Sequence, residues 1–172
     1  ELADAQQRLE AFREKHQVVS LQAEKELLLA QYADARKLLL QLTESQDAAK
    51  QVAEGKTDQV LIATLSGKTE NTVVTELQLR LLELILERNR ITENLGPKHP
   101  QVVGIHNEIS RAAERLTEAI DTTRNTTQAK IDDLQLRLQE LNKVEGELED
   151  LQRAVDTSSD TLVYYTQKRE EA

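Results

Sequence analysis

The sequence predicts an all-α fold, either an elongated antiparallel coiled-coil hairpin or a helical bundle, with one very long C-terminal helix. Ala, Glu, Lys, Leu and Arg account for 87 of the 172 residues, the share that is typical of coiled coils and long helices. Only 3 Tyr and 1 Phe are present, with no Trp or Met, so a compact core lacks its usual bulky filling. Gly and Pro, which interrupt helices, number only 5 and 2.

Charge and composition exclude several functions. The net charge is −9, with 31 acidic and 22 basic residues spread along the chain, so no basic stripe is available to hold nucleic-acid phosphates. The absence of cysteine excludes disulfides, thiolate chemistry and sulfur-ligated zinc. No apolar run approaches the length of a membrane helix. Because the chain begins at Glu1 rather than Met, we interpret it as an excerpt, and any membrane anchors are expected to lie outside it.

The first half of the chain predicts two helices, over residues 1–16 and 21–54. Apolar side chains spaced three and four apart mark the packing side of each helix. Ser20 is a good N-cap for the second helix, and Gly55 is a good residue to end it. The seam of the second helix is interrupted by one polar residue, Gln46.

Residues 55–70 lack a helical stripe and contain two glycines, so they predict a loop or short irregular insertion. An apolar patch (Val60 to Ala63, with Leu65) is expected to pin this segment to the helices. A buried strand is the alternative, although no other segment offers a partner strand.

A third helix is predicted over residues 72–95, with Asn71 or Thr72 as its cap. Its packing seam includes Leu77, Leu81, Leu84, Arg88 and Ile91. A second apolar stripe lies beside this seam and predicts contact with more than one neighbour, for which an oligomer interface is one candidate; it consists of Leu79, Leu82, Ile85 and Leu86.

Arg88 interrupts the third helix's seam, and two interpretations remain open. Its stem can lie along the seam while its head reaches water or a nearby Glu. Alternatively, it sets the register or the pairing of subunits.

The sharpest interruption of the helices is a corner at residues 96–100. Gly96 can adopt the positive φ that ends a helix, while Pro97 and Pro100 cannot continue one. Pro100 also keeps His99 out of the helical region and is well suited to the first position of the next helix.

One uninterrupted helix is predicted over residues 100–172. Its seam includes Leu134, Leu138 and Leu141, and continues to Tyr165, which we expect to be a core residue. A slip in the spacing near Gly146 predicts a local bend.

Helix lengths suggest a topology. The last helix and the sum of the three earlier ones each span roughly 110 Å at about 1.5 Å per residue. Three helices stacked end to end against the fourth would give a long hairpin with residues 96–100 at its tip. If residues 55–70 reverse the chain direction, the bundle is instead shorter and thicker, and the match in length is accidental.

No catalytic, cofactor-binding or metal-binding site is predicted. His16, His99 and His106 have no acidic partners at metal-ligand spacing, and the serines lack the glycine context of a nucleophile. Neighbouring acids such as Asp132 and Asp133 lie among bases at helical spacing, which is typical of a solvated face. We therefore predict that the chain is not an enzyme and carries no cofactor.

Four segments together resemble the periplasmic coiled-coil region of polysaccharide co-polymerases, the chain-length determinant (Wzz-type) family. These are Leu9 to Arg13 followed by Val18 to Leu21, the Gly-Pro-Lys-His-Pro-Gln-Val sequence of residues 96–102, the helix after it, and residues 162–172. The sequence departs from the family pattern at Thr166 and Gln167, where a leucine pair is common, and in the longer and more polar residues 44–75.

The resemblance implies a non-catalytic scaffold in the bacterial periplasm, anchored in the inner membrane in the full-length protein, whose membrane helices and base domain are expected to lie outside this chain. Family members form homo-oligomers that control polysaccharide chain length and export, together with a polymerase and export machinery, and some members carry a tyrosine kinase domain. Nascent polysaccharide is a further implied partner. The alternatives are a structural coiled-coil spacer, such as the arm of a chromosome-maintenance ATPase, and an efflux adaptor hairpin.

Overall fold

Five helices and no strand make up the described part of the chain, which comprises residues 1–17, 20–56, 59–67, 69 and 71–170 of this computed structural model. In order, they are α1 (Leu2–His16), α2 (Leu21–Ala53), α3 (Gln59–Leu65), α4 (Thr72–Leu95) and α5 (Pro100–Glu170). The prediction of an all-α fold with one very long C-terminal helix is confirmed.

The helices form two compact units. Unit 1 contains Glu1–Tyr32 and Asp132–Ala172, and unit 2 contains Ala33–Ile131. Both α2 and α5 contribute residues to each unit. None of the described helices combines the length and the apolar composition that crossing a lipid bilayer requires.

Within unit 2, α2 and α4 run in the same direction, and both are antiparallel to α5. Gln46 of α2 bonds to Asp121 and Arg124 of α5, whereas Gly55, just after α2, faces the ring of His106 near the start of α5. On α4, Asn71 at the start bonds to Thr123, and the end joins α5 through the 96–99 corner.

A third contact places α2 and α4 side by side. The side chain of Gln78 on α4 donates a hydrogen bond to the hydroxyl of Ser45 on α2, at 3.1 Å. The end-to-end stacking of the first three helices is therefore wrong for unit 2, and the match in helix length is accidental. The shorter and thicker bundle is the arrangement that unit 2 adopts.

Residues 55–70 contain a helix where the sequence predicted a loop. α3 is 7 residues long, and it contacts α4 and brings the chain back toward the middle of α2. Thr64 and Gly67 share a surface depression with Gln41 and Ser45, so this segment reverses the chain direction. Residues 57, 58, 68 and 70 of the predicted loop lie outside the described residues.

Part of the apolar patch pins this segment to the helices, whereas Val60 and Ala63 are exposed. Leu61 is 6% exposed and Leu65 is 1% exposed, and both belong to the main core of unit 2. The core also draws residues from α2, α4 and α5, which include Leu42, Ala49, Val52, Val74, Leu81, Leu84, Ile85, Ile109, Ala113, Leu116 and Ile120. Burying these side chains is the main force that stabilises the bundle.

Unit 1 is held by contacts of α5 with α1 and with the first part of α2. Arg13 on α1 donates a hydrogen bond to the Gln152 side chain at 2.9 Å, and Lys25 on α2 forms a partly buried ion pair with Glu145. Buried side chains of this unit include Leu9, Leu21, Leu28 and Leu134. Val18 and Val19, which the resemblance includes, lie outside the described residues.

The prediction that Tyr165 is a core residue is wrong. Tyr165 is 65% exposed, and Leu162, one turn earlier, is 56% exposed. Arg13 of α1 bonds to Gln152, and residues 161–170 of α5, beyond that contact, are all exposed. α5 continues as a helix through Gly146, and the bend expected there stays a prediction.

Candidate functional site

The corner at residues 96–100 is built from local backbone chemistry. Gly96 has φ +81° and ψ 160°, a conformation that L side chains rarely adopt, and its N–H bonds to the Thr92 carbonyl at 2.9 Å. A methyl group added at Gly96 would meet nothing within 4 Å. Backbone conformation rather than lack of space therefore explains why glycine occupies this position.

His99 has a role in this corner that the sequence did not reveal. Its Nδ1 accepts a hydrogen bond from the backbone N–H of Gln101 at 3.3 Å, while Pro100 occupies the first position of α5. The imidazole thus takes the part of an N-cap side chain. The one feature of the sequence that could have indicated this role is the position of His99 directly before Pro100, the first residue of the next helix. Pro97 and Pro100 are both exposed.

The other two histidines lie elsewhere. The ring of His16 packs on that of Phe12, with centroids 4.4 Å apart, and His106 lies exposed beside Gly55. Among the described residues, no group of three or more His, Asp or Glu side chains is arranged to hold a metal ion.

The predicted packing seam is divided between the two units. In unit 2, Leu81 and Leu84 are buried, whereas Leu77, Arg88 and Ile91 are half-buried. The seam residues of unit 1 are Leu134, which is buried, and Leu138 and Leu141, which are half-buried.

The stem of Arg88 lies as the first of its two interpretations expects, and a role in register or subunit pairing stays a prediction. Its stem is half-buried, and its Nε and Nη2 donate hydrogen bonds to the Asn89 side-chain oxygen at 3.2 and 2.7 Å. The head therefore reaches the surface, where the neighbouring Asn89 amide is one of its contacts.

The second apolar stripe of α4 divides between core and surface. Ile85 is fully buried, and Leu82 packs partly against the core. Leu79 and Leu86 remain 56% and 62% exposed. Leu79, Leu82 and Leu86 are spaced three and four residues apart and so share one side of α4, which we call the α4 stripe. It is the candidate interaction surface of unit 2.

A cluster of polar side chains crosses the helices of unit 2, buried on α2 and α4 and partly open to water on α5, and we call it the polar layer. It consists of Ser45 and Gln46 on α2, Gln78 on α4, and Asp121 and Arg124 on α5. Gln46 donates to a carboxylate oxygen of Asp121 and accepts from Arg124 Nη1 at 2.7 Å. From the sequence, only Gln46 was identified, as a polar interruption of the seam of the second helix. Gln78 was missed because it lies beside Leu77, between that residue and Leu81, and is not itself a position of the predicted seam.

The hydrogen bonds of the polar layer give it no catalytic geometry. The hydroxyl of Ser45 accepts a hydrogen bond from an amide, so its partner is not a histidine base. The Gln46 amide lies between the Asp121 carboxylate and the Arg124 guanidinium. Asp121 Oδ1 and Arg124 Nη1 are 3.9 Å apart. What this arrangement can do chemically is hold three helices at one level.

No protein-family model, curated protein or solved structure matches this chain.

Proposed function

We propose that the chain is the periplasmic, non-catalytic scaffold of a polysaccharide co-polymerase that controls polysaccharide chain length and export by assembling with copies of itself. The exposure of Leu79 and Leu86 on an ordered helix carries this proposal. Two exposed leucines on one side of a helix favour contact with a neighbouring protein.

The corner supports the same function. Gly96, Pro97, His99 and Pro100 belong to the most specific part of the resemblance, and they form a tight turn between two antiparallel helices. The residues that carry the resemblance thus have a defined structural role.

A second copy of the chain is the proposed occupant of the α4 stripe. Copies anchored in one membrane all point the same way, and in a ring of three or more copies each contact joins two different faces of neighbouring copies. Such heterologous contacts close into rings when the rotation between copies permits. The α4 stripe supplies one of the two faces.

The net charge of −9 has a function in this proposal. Many exported polysaccharides are anionic, and like-charge repulsion would keep such a chain from adhering to the scaffold. A tight complex between this chain and an anionic polysaccharide would contradict this part of the proposal. Polymerase and export proteins remain the proposed further partners.

The self-association experiment compares two double variants by sedimentation velocity over a range of concentrations. Leu79→Ser/Leu86→Ser is expected to shift self-association to at least about tenfold higher concentration, since two apolar contacts are worth more than 1.4 kcal/mol. Leu40→Ser/Leu136→Ser removes two leucines that are 60% and 61% exposed and is the matched control. A parent chain that stays monomeric, or equal loss in both variants, would overturn the α4 stripe as the interface.

The biological role is tested in the source bacterium by deleting the gene and separating its surface polysaccharides by gel electrophoresis. The proposal expects a changed distribution of chain lengths, which the parent gene restores and the Leu79→Ser/Leu86→Ser gene does not. An unchanged distribution after deletion would contradict the proposed function and favour a structural spacer.

A further inference from the structure

We propose that the polar layer fixes the register of α2 against α4 and α5 in unit 2, so that the helices cannot slide along one another. This inference does not depend on the proposed function. It rests on the burial of the layer's side chains on α2 and α4, on the identity of the residues one heptad away, and on the hydrogen-bonding groups that remain unsatisfied.

The apolar seams alone specify the register of unit 2 weakly. On α2, Ala35, Leu42 and Ala49 recur every seven residues, and on α5, Ile109 and Leu116 do the same. A shift by one heptad would keep these positions apolar, although an alanine would take the place of Leu42. Buried polar residues at single seam positions are the established means by which coiled coils select one register.

Three side chains of the polar layer are almost out of reach of water, whereas those of Asp121 and Arg124 are 55% and 36% exposed. Ser45, Gln46 and Gln78 are 4%, 3% and 1% exposed. A buried amide that loses its hydrogen-bond partner bears the full cost of its desolvation. Any movement that separates these side chains is therefore opposed.

The neighbouring heptad positions cannot replace the polar layer. One heptad before and after Gln46 lie Leu39 and Ala53, which have no side-chain hydrogen-bonding group. The same positions around Ser45 are Leu38 and Val52. A slide of α2 by one heptad in either direction would thus place an apolar side chain beside Arg124 and another beside Gln78.

The polar layer is unsuited to a purely stabilising role. Within the described part of the chain, Gln78 Oε1 and Arg124 Nε are buried without a hydrogen-bond partner. Replacing a buried polar side chain by an apolar one often leaves the free energy of unfolding unchanged or raises it. The replacement nevertheless removes the hydrogen bonds that hold the helices in one register. A register role and a stability role therefore predict different outcomes for the same substitutions.

The experiment replaces both buried amides by a side chain of similar length, in Gln46→Met/Gln78→Met. The chain has no cysteine, so Lys37→Cys and Glu114→Cys introduce two exposed spin-labelling sites, one on α2 and one on α5. The distance between the labels is measured by double electron–electron resonance. The parent should give one narrow peak, and the variant should add a second peak displaced by about 10 Å, the length of one heptad.

Thr127→Val is the matched control. Thr127 is 7% exposed, but its hydroxyl donates only to the Thr123 carbonyl of its own helix, so this variant should keep the single peak. A single unshifted peak in the folded Gln46→Met/Gln78→Met protein would overturn the proposal. If that protein does not fold, the Gln46→Leu/Gln78→Leu protein provides the same comparison, and failure of both to fold would overturn it as well, because the layer would then be required for stability.

Discussion

Two leucines on α4, only two positions apart, differ sharply in their surroundings. Leu84 is 3% exposed and belongs to the core, whereas Leu86 is 62% exposed. A helix turns by about 100° per residue, so positions two apart lie on nearly opposite sides. This pair therefore separates the effect of burial from the effect of residue type.

Leu84→Asp is expected to lower the free energy of unfolding by about 4 kcal/mol or more, because a carboxylate replaces a core side chain without any partner. Leu86→Asp, the control, should change it by less than about 0.5 kcal/mol. Urea unfolding followed by circular dichroism measures both. Equal destabilisation by the two variants would contradict the packing of α4.

At the scale of single residues, the sequence could predict features that depend only on neighbouring residues in the chain. Asn71 caps α4 by accepting the Val74 N–H at 3.1 Å, and Gly96 ends that helix with positive φ. Tyr165 could not be predicted, because its exposure depends on whether another helix lies opposite it. Gln78 illustrates the same limit, since its hydrogen bond joins residues 33 positions apart.

α3 shows how packing creates a helix that periodicity does not reveal. Its 7 residues are too few to display an amphipathic repeat, and a helix of this length is not stable by itself in water. Burial of Leu61 and Leu65 in the core of unit 2 supplies the missing stabilisation. The reversal of the chain follows from α3, which is why helix lengths alone suggested the wrong stacking.

Leu65→Ala is expected to lower the free energy of unfolding by about 2–5 kcal/mol, because it leaves a cavity where a fully buried side chain packed. The matched control is Val60→Ala, in the same helix, where the parent side chain is 73% exposed and the change should be below about 0.5 kcal/mol.

Thermal or urea unfolding gives the comparison. Limited proteolysis should also show faster cleavage between α2 and α4 in the Leu65→Ala protein than in the control. If both variants unfold like the parent, the docking of α3 in the core is wrong.

For the molecule as a whole, burial is concentrated in unit 2. The main core cluster consists entirely of residues between Leu42 and Ile120. In unit 1, residues 161–170 of α5 are all exposed. Resistance to local opening follows the density of buried contacts.

Hydrogen exchange should therefore vary greatly along α5. Amides of residues 109–120, beside the core, are expected to exchange at least about 1000-fold more slowly than those of residues 161–170, since helix ends without packing open readily. Mass spectrometry of peptides from a dilute sample measures the exchange rates of both parts of α5 in one experiment. Uniform protection along α5 would contradict the predicted difference in local stability, unless the dilute sample is shown to be oligomeric.

Unit 2 is one continuous segment of the chain, whereas unit 1 joins its two ends, and this difference has a consequence for biosynthesis. The contacts of unit 2, such as that between Asn71 and Thr123, join positions 52 apart, whereas the bond of Arg13 to Gln152 in unit 1 joins positions 139 apart. Closing the longer loop costs more entropy. A nascent chain emerging from the ribosome can thus assemble unit 2 first, while α1 must wait for the far half of α5 to be synthesised.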